Sequence, residues 1–350
     1  MIAFIYSNNY LKYNFGPSHP LKPGRTKMLL EFLLNNGFKD FIRIYEPRMA
    51  RRREIELFHN SSYIDFVWEM SRRGFGFLDG GDTPAFKGCF EASSIIVGGT
   101  LTAIDYALKG DFICSVNMAG GLHHAYPDRA SGFCIFNDVA VGIAYLIEKG
   151  FSRIFYLDID AHHGDGVMYG FYGDGRVLDI DFHENGLYLF PGSGFPYEIG
   201  IDDGKGLKIN IPLLPGAGDD AFLLAFNEII PKAASKFRPE IIIVQCGVDG
   251  YIGDPLAHLR FSTKTYIEVA RTVRRISRDY CDGRLVLIGG GGYNVHNTIR
   301  VWSLILAEIL GELDRLENYV DKEGTESEIN VLVDVMNNLK KLRELTIIGK

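Results

Sequence analysis

The chain alternates short, largely apolar runs with longer stretches whose apolar residues recur every three to four positions. The short runs, at 2–6, 112–116, 154–158, 177–182, 207–212, 241–246 and 285–289, are rich in β-branched and aromatic residues. Several are apolar on both faces, the mark of strands in a parallel sheet covered on both sides. The longer stretches, 25–36, 90–108, 138–149, 219–236, 263–280 and 295–310, predict the covering helices. Together they predict an α/β fold built on one open, mostly parallel sheet with helices on both faces. No Pro/Ser-rich linker, internal repeat or low-complexity tract interrupts the pattern. Residues 1–350 therefore read as a single domain, with 311–350 a charge-rich, peripheral helical tail.

An apolar content of 47% is ample for a core of this size, and a formal charge of −7 argues against direct nucleic-acid binding, which needs a basic face. The one basic cluster, Arg48, Arg51, Arg52 and Arg53, stands beside Glu54 and Glu56 and reads as a solvated helix face. The cysteines (Cys89, Cys114, Cys134, Cys246, Cys281) are odd in number and show no CxxC spacing, so neither a disulfide framework nor a structural zinc knuckle is expected. They fit a reducing cytoplasm. The N-terminus reads as a strand rather than a signal peptide, and no segment reaches the roughly 18 apolar residues of a membrane helix. A cytoplasmic protein with no membrane association is expected.

The unusual polar clusters all follow predicted strands, where open parallel sheets bind their ligands. In LDIDAHHGDG (157–166), alternate side chains of an extended chain would aim Asp158, Asp160 and His162 the same way. Buried charge at this density costs several kcal/mol per ion unless it is compensated. Asp160 and His162 are therefore expected to share one divalent ion. Other strand ends contribute His123 and His124 with Gly132 and Phe133, then Asp249, then Tyr293 after four glycines. Two carboxylates and an imidazole, from Asp160, Asp249 and His162, leave a fourth position for water, whose pKa falls to about 7 in catalytic zinc sites. Asp158 and Asp165 are candidates to hold His123 and His124 in one tautomer, so that one imidazole takes the water's proton and returns it to a leaving amine. The Tyr293 phenol is placed to meet a developing oxyanion. GGGGYN lacks the GxGxxG order of dinucleotide sites, and no P-loop is present.

In chain order, GPSHPLKPGRTKMLLEFL, ELFHNSSYIDFV, GGDTPAF, GGLHHAYPDRASGFCIFND, LDIDAHHGDG, LFPGSG and GGGGYN resemble the zinc-dependent histone deacetylase family, including its prokaryotic acetoin-utilisation and acetylpolyamine amidohydrolase members. The likeness spans roughly residues 10–310 and implies an arginase-like open α/β fold. It implies zinc ligands Asp160, His162 and Asp249, and His–Asp pairs of His123 with Asp158 and His124 with Asp165, His124 being the general base and acid. It also implies Tyr293 as the carbonyl-polarising group and a substrate tunnel walled by Gly132, Phe133 and Phe190. Asp82 matches a rim aspartate that grips the substrate, and Arg25 an arginine beside an acetate exit. A structural K⁺ or Na⁺ is implied at Asp158, Asp160, His162, Asp181 and Phe182, with Asp181 standing where the family often has serine. The implied reaction is hydrolysis of an N-acetylated amine (a protein lysine, a polyamine or a small metabolite) to acetate and free amine, with Zn²⁺ or, in the cell, Fe²⁺.

Two other readings compete. Arginase-type ureohydrolases share the fold and place Ala-His after an aspartate, but their two manganese ions need further bridging carboxylates, and Gly247 stands where the first would fall. A catalytically silent acetyl-binding module would be expected to have lost a ligand or Tyr293, and neither is lost.

Overall fold

The computed structural model describes residues 1–349. Eight strands, β1 (Ile2–Ile5), β2 (Ile42–Tyr45), β3 (Cys114–Asn117), β4 (Ile154–Asp158), β5 (Val177–Glu184), β6 (Lys208–Leu213), β7 (Ile241–Gln245) and β8 (Leu285–Ile288), form one sheet. Its order is β2-β1-β3-β8-β7-β4-β5-β6, and every pairing is parallel. All strands but β2 are buried throughout, so the apolar runs mark a sheet sealed on both faces. β2 was not expected. It is an edge strand with Arg43 and Ile44 exposed, and its mixed pattern hides it among loop residues.

The helices are α1 (Arg25–Asn35), α2 (Arg52–Ile55), α3 (Ser61–Arg73), α4 (Cys89–Lys109), α5 (Asp138–Glu148), α6 (Asp165–Gly170), α7 (Asp219–Phe237), α8 (Thr263–Tyr280), α9 (Val295–Leu310) and α10 (Ile329–Leu345). Side chains alternate along β4 and sort these helices by face. Phe155 and Leu157 join the core under α1, α7, α8, α9 and α10, whereas Ile154 and Tyr156 join the core under α4, α5 and α6. A third cluster, including Ile55, Ile64, Val67 and Phe136, packs α2 and α3 onto α4.

The tail lies on the outside of the sheet with much of its surface exposed, yet it is firmly packed. It is helical, but α10 buries Val331, Val335, Leu339 and Leu342 in the main core, so its apolar stripe is structural. Lys350 lies outside the described residues. Two of the four clustered arginines are paired locally, Arg48 with Glu54 at 2.7 Å and Arg52 with Glu56 at 2.8 Å and Asp65 at 2.5 Å, while Arg51 and Arg53 are exposed.

Candidate active site and metal centre

Four loops converge because their strands, β3, β8, β7 and β4, are consecutive neighbours in the sheet, and all four point their carboxyl ends the same way. The loop after β3 brings His123 and His124, that after β4 brings Asp160 and His162, that after β7 brings Asp249, and that after β8 brings Tyr293.

Asp160, His162 and Asp249 are all buried, and one potential ligand atom from each lies within 4.8 Å of the others. Strand alternation does not produce this convergence, as the sequence pattern had suggested. β4 ends at Asp158, and the chain then bends at residues 160–162. His162 Nδ1 faces Asp249 Oδ2 at 2.8 Å and Asp160 Oδ1 at 3.3 Å. Backbone amides orient the outer carboxylate oxygens: Ala161 N donates to Asp249 Oδ1 (2.8 Å) and Gly291 N to Asp160 Oδ2 (2.6 Å). Burial and the neighbouring Asp160 charge push Asp249 up to about 7. Asp160 is held low, against its own burial, by His123 and His162. Two carboxylates competing in this way, with an imidazole aimed between them, fit a divalent cation. At Gly291 any Cβ would fall 2.0 Å from Asp249 Oδ2, so the glycine run is what allows the ligands to be enclosed.

Behind this set stand two imidazole–carboxylate pairs. His123 Nδ1 lies 2.8 Å from Asp158 Oδ2, and His124 Nδ1 lies 2.7 Å from Asp165 Oδ1. The two imidazoles are driven apart electrically. Burial alone would lower His123, but Asp158 and Asp160 outweigh it and raise it to about 9. Burial and then the charge of His123 lower His124 to about 4, against the pull of Asp165. The surroundings thus pull the two rings in opposite directions, His123 toward its charged form and His124 toward its neutral form.

The same cavity is lined by His123, His124, Phe133, Asp160, Tyr293 and Arg25. Arg25 is buried there, donates to Gly292 O at 2.9 Å and stacks over Trp302 at 5.1 Å. Phe133 packs its ring 6.1 Å from Tyr293. Gly132 passes so close to the His124 and Phe190 rings that a Cβ would meet them at 2.6 and 2.9 Å. Phe190 is half exposed, 5.0 Å from the His124 ring, and borders a neighbouring groove together with Asp82 and Gly132. Asp82 therefore sits at the rim, not within the cavity. Asp181 accepts from Gly164 N at 2.7 Å and pairs with His183 Nδ1 at 2.6 Å, while the Phe182 ring faces away into the core against Phe222 and Phe226.

Several supporting residues escaped sequence reasoning. Tyr156 donates to Asp158 Oδ2 at 2.5 Å, Tyr126 to Asp165 Oδ2 at 2.9 Å, and Asp254 accepts from Tyr293 N at 2.8 Å. Asp138 takes the amides of Gly121 and Leu122, and Asn137 donates to His123 O and Ala125 O, which fixes the loop that carries both histidines. The Tyr156–Asp158 contact was legible as an i, i+2 pair on one strand face. The others join residues far apart in the chain, for which spacing carries no signal.

Residues 19–309 match the family model for the histone deacetylase domain. The chain belongs to the histone deacetylase family. The acetoin utilization protein AcuC of Bacillus subtilis (strain 168) is 40% identical over 319 residues, covering 88% of this chain and 82% of that protein. AcuC of Staphylococcus xylosus is 37% identical, covering 89% and 83%. Among solved structures, an HDAC homologue complexed with SAHA superposes with a TM-score of 0.85 at 32% identity, covering 97% of this chain and 99% of that one. An HDAC homologue from Aquifex aeolicus superposes with a TM-score of 0.82 at 33% identity and the same coverage. The protein is accordingly a deacetylase, a hydrolase of the histone deacetylase type, on the single parallel sheet of these homologues. Among the described residues no helix is long and apolar enough to cross a membrane.

Proposed function

We propose that this deacetylase is a zinc-dependent amidohydrolase that removes the acetyl group of an N-acetylated amine such as acetyl-lysine or an acetylpolyamine. The observation that carries the reading is the buried Asp160–His162–Asp249 set sharing one site with two oppositely tuned His–Asp pairs and Tyr293. Zinc, or Fe²⁺ on the same donors, would polarise the amide carbonyl and acidify a water. His124, neutral near pH 7 and held by Asp165, takes a proton from the attacking water and delivers it to the departing amine. His123, held charged by Asp158, contributes positive potential beside it. Tyr293 donates to the developing oxyanion. Gly132, Phe133 and Phe190 flank the alkyl stem of the substrate, Asp82 grips it at the rim, and Arg25 attracts the acetate product inside the cavity. A K⁺ or Na⁺ ion is assigned to Asp158, Asp160, His162, Asp181 and Phe182. The five free, buried cysteines support a cytoplasmic location, and the net negative charge supports a substrate other than nucleic acid.

One ion is favoured over two. A side chain at position 247 would bring its Cβ within 2.4 Å of Asp160 Oδ2, so the bridging carboxylate of a binuclear manganese centre has no room there. The test is acetate release by zinc-loaded protein from acetyl-lysine peptides, acetylpolyamines and small acetylated amines, with His124→Ala as the blank. Release from at least one class, lost in the variant and blocked by a hydroxamate, is expected. No release from any class would overturn the reading, and hydrolysis of a guanidino compound with two manganese ions bound would replace it.

A further inference from the structure

Lys208, the first residue of β6, is fully buried. Its Nζ donates to two backbone carbonyls, Val177 O at 2.5 Å and Asp174 O at 3.2 Å. In the β5–β6 register it stands opposite Asp179, which in turn stands opposite Tyr156 on β4, the residue that donates to Asp158. Asp158, Asp179 and Asp181 are all buried on this flank of the sheet, and Asp179 Oδ2 has no hydrogen-bond partner. The lysine is therefore gripped by carbonyl oxygens, with the carboxylate acting on it as a neighbouring charge. Burial pushes Lys208 down to about 8, opposed first by Asp179, and pushes Asp179 up to about 7, opposed by Lys208.

The two carbonyls belong to the short turn, residues 171–176, and to the first residue of β5, to which that turn leads from α6. That helix begins with Asp165, the partner of His124. An ammonium bonded to the middle of this turn and to the start of β5 pins the connection where it enters the strand that carries Asp179 and Asp181. Carbonyl oxygens gathered beside a buried carboxylate also form an environment suited to a monovalent cation, and an ammonium has the charge to occupy it.

We propose that Lys208 is a built-in counter-cation, its ammonium occupying an oxygen site between α6 and β5 that would take a dissolved K⁺ or NH₄⁺ if the lysine were removed. The site places a fixed positive charge beside Asp179, the acid that no solvent ion has been assigned to.

The experiment compares thermal midpoints of zinc-loaded wild type, Lys208→Ala and Lys208→Met in KCl, NH₄Cl and tetramethylammonium chloride at one ionic strength. Tetramethylammonium is too large to enter. In it, Lys208→Ala is expected to melt roughly 5 °C or more below wild type, the scale for removing one member of a buried charged network. K⁺ or NH₄⁺ should return a clear part of that loss. Lys208→Met fills the space without charge, so it and wild type should respond to the cations alike, and less than Lys208→Ala does. A Lys208→Ala response no larger than that of wild type and Lys208→Met would overturn the proposal, as would an unchanged midpoint. Asp179→Asn supplies an independent reading should Lys208→Ala fail to fold. A tethered cation held by carbonyls survives that change, so the loss should be clearly smaller than in Lys208→Met. Equal losses would show that Lys208 is only the ion partner of Asp179 and would sink the idea.

Discussion

Phe133 holds a backbone conformation, φ 69°, that a bulky residue enters only at a cost of about 1–3 kcal/mol. Tyr13 Oη donates to its carbonyl at 2.6 Å and its own N–H donates to Thr83 Oγ1 at 3.0 Å, so two side chains hold the ring against Tyr293. Strain of this kind is retained where it places a functional surface. Tyr293 itself leads to a kinetic expectation. Tyr293→Phe should lower kcat about 100 to 1000-fold and leave KM little changed, because the lost hydrogen bond strengthens only in the transition state. Steady-state kinetics on an acetyl-lysine peptide would check this, and a matching loss in binding would count against the assigned role. A second expectation concerns His59, which sequence reasoning passed over. It is buried, and its Nε2 accepts from Asn137 N at 2.9 Å, bracing the residue that holds the histidine loop. Burial lowers it to about 3. The unfolded chain, with a histidine pKa of about 6.5, then binds more protons between those values, so stability falls as pH drops from about 6.5 toward 3, by at most about 1.4 kcal/mol per pH unit. His59→Gln should flatten the dependence of thermal midpoint on pH across that window.

At the scale of elements, the six helices expected from periodicity appear within a residue or so of their expected ends, for example α8 at Thr263–Tyr280 and α9 at Val295–Leu310. Long amphipathic stretches leave little choice of structure. The short elements α2 and α6 and the edge strand β2 were illegible, since a few residues of mixed polarity fit loop, helix or strand equally; α3 was also not expected, although its 13 residues carry a regular apolar stripe at Tyr63, Ile64 and Val67. α10 teaches a different point: its helical form was legible, but its burial against the main core was not, because a charge-rich tail can cover a sheet with one narrow apolar stripe. Leu342→Ala should therefore cost about 2–5 kcal/mol, read by urea unfolding, where a peripheral tail would cost almost nothing.

Over the whole molecule, the site depends on many buried charges standing together, and the divalent ion proposed for Asp160, His162 and Asp249 would be the strongest compensation available to them. Stripping it with a chelator should lower the thermal midpoint by several degrees, and one equivalent of zinc per chain should restore it. Binding to the folded state alone stabilises by about 4 kcal/mol when the ion is at a thousand times its dissociation constant. Restoration that required two equivalents would argue for a binuclear centre. The residues that the structure gathers at the candidate site could be singled out one by one because aspartates, paired histidines and a glycine run stand at the ends of apolar strands, and such charge is too costly there to lack a partner. Local pattern likewise determined which segments became strands and helices, since burial of alternating or periodic apolar faces is a local property of the chain. Only the tertiary structure decided that β3, β8, β7 and β4 lie side by side, which atoms of Asp160, His162 and Asp249 meet, and that Lys208 is enclosed beside Asp179. Strand order and contacts between distant residues arise from how helices and strands pack together, and no spacing along the chain encodes that packing.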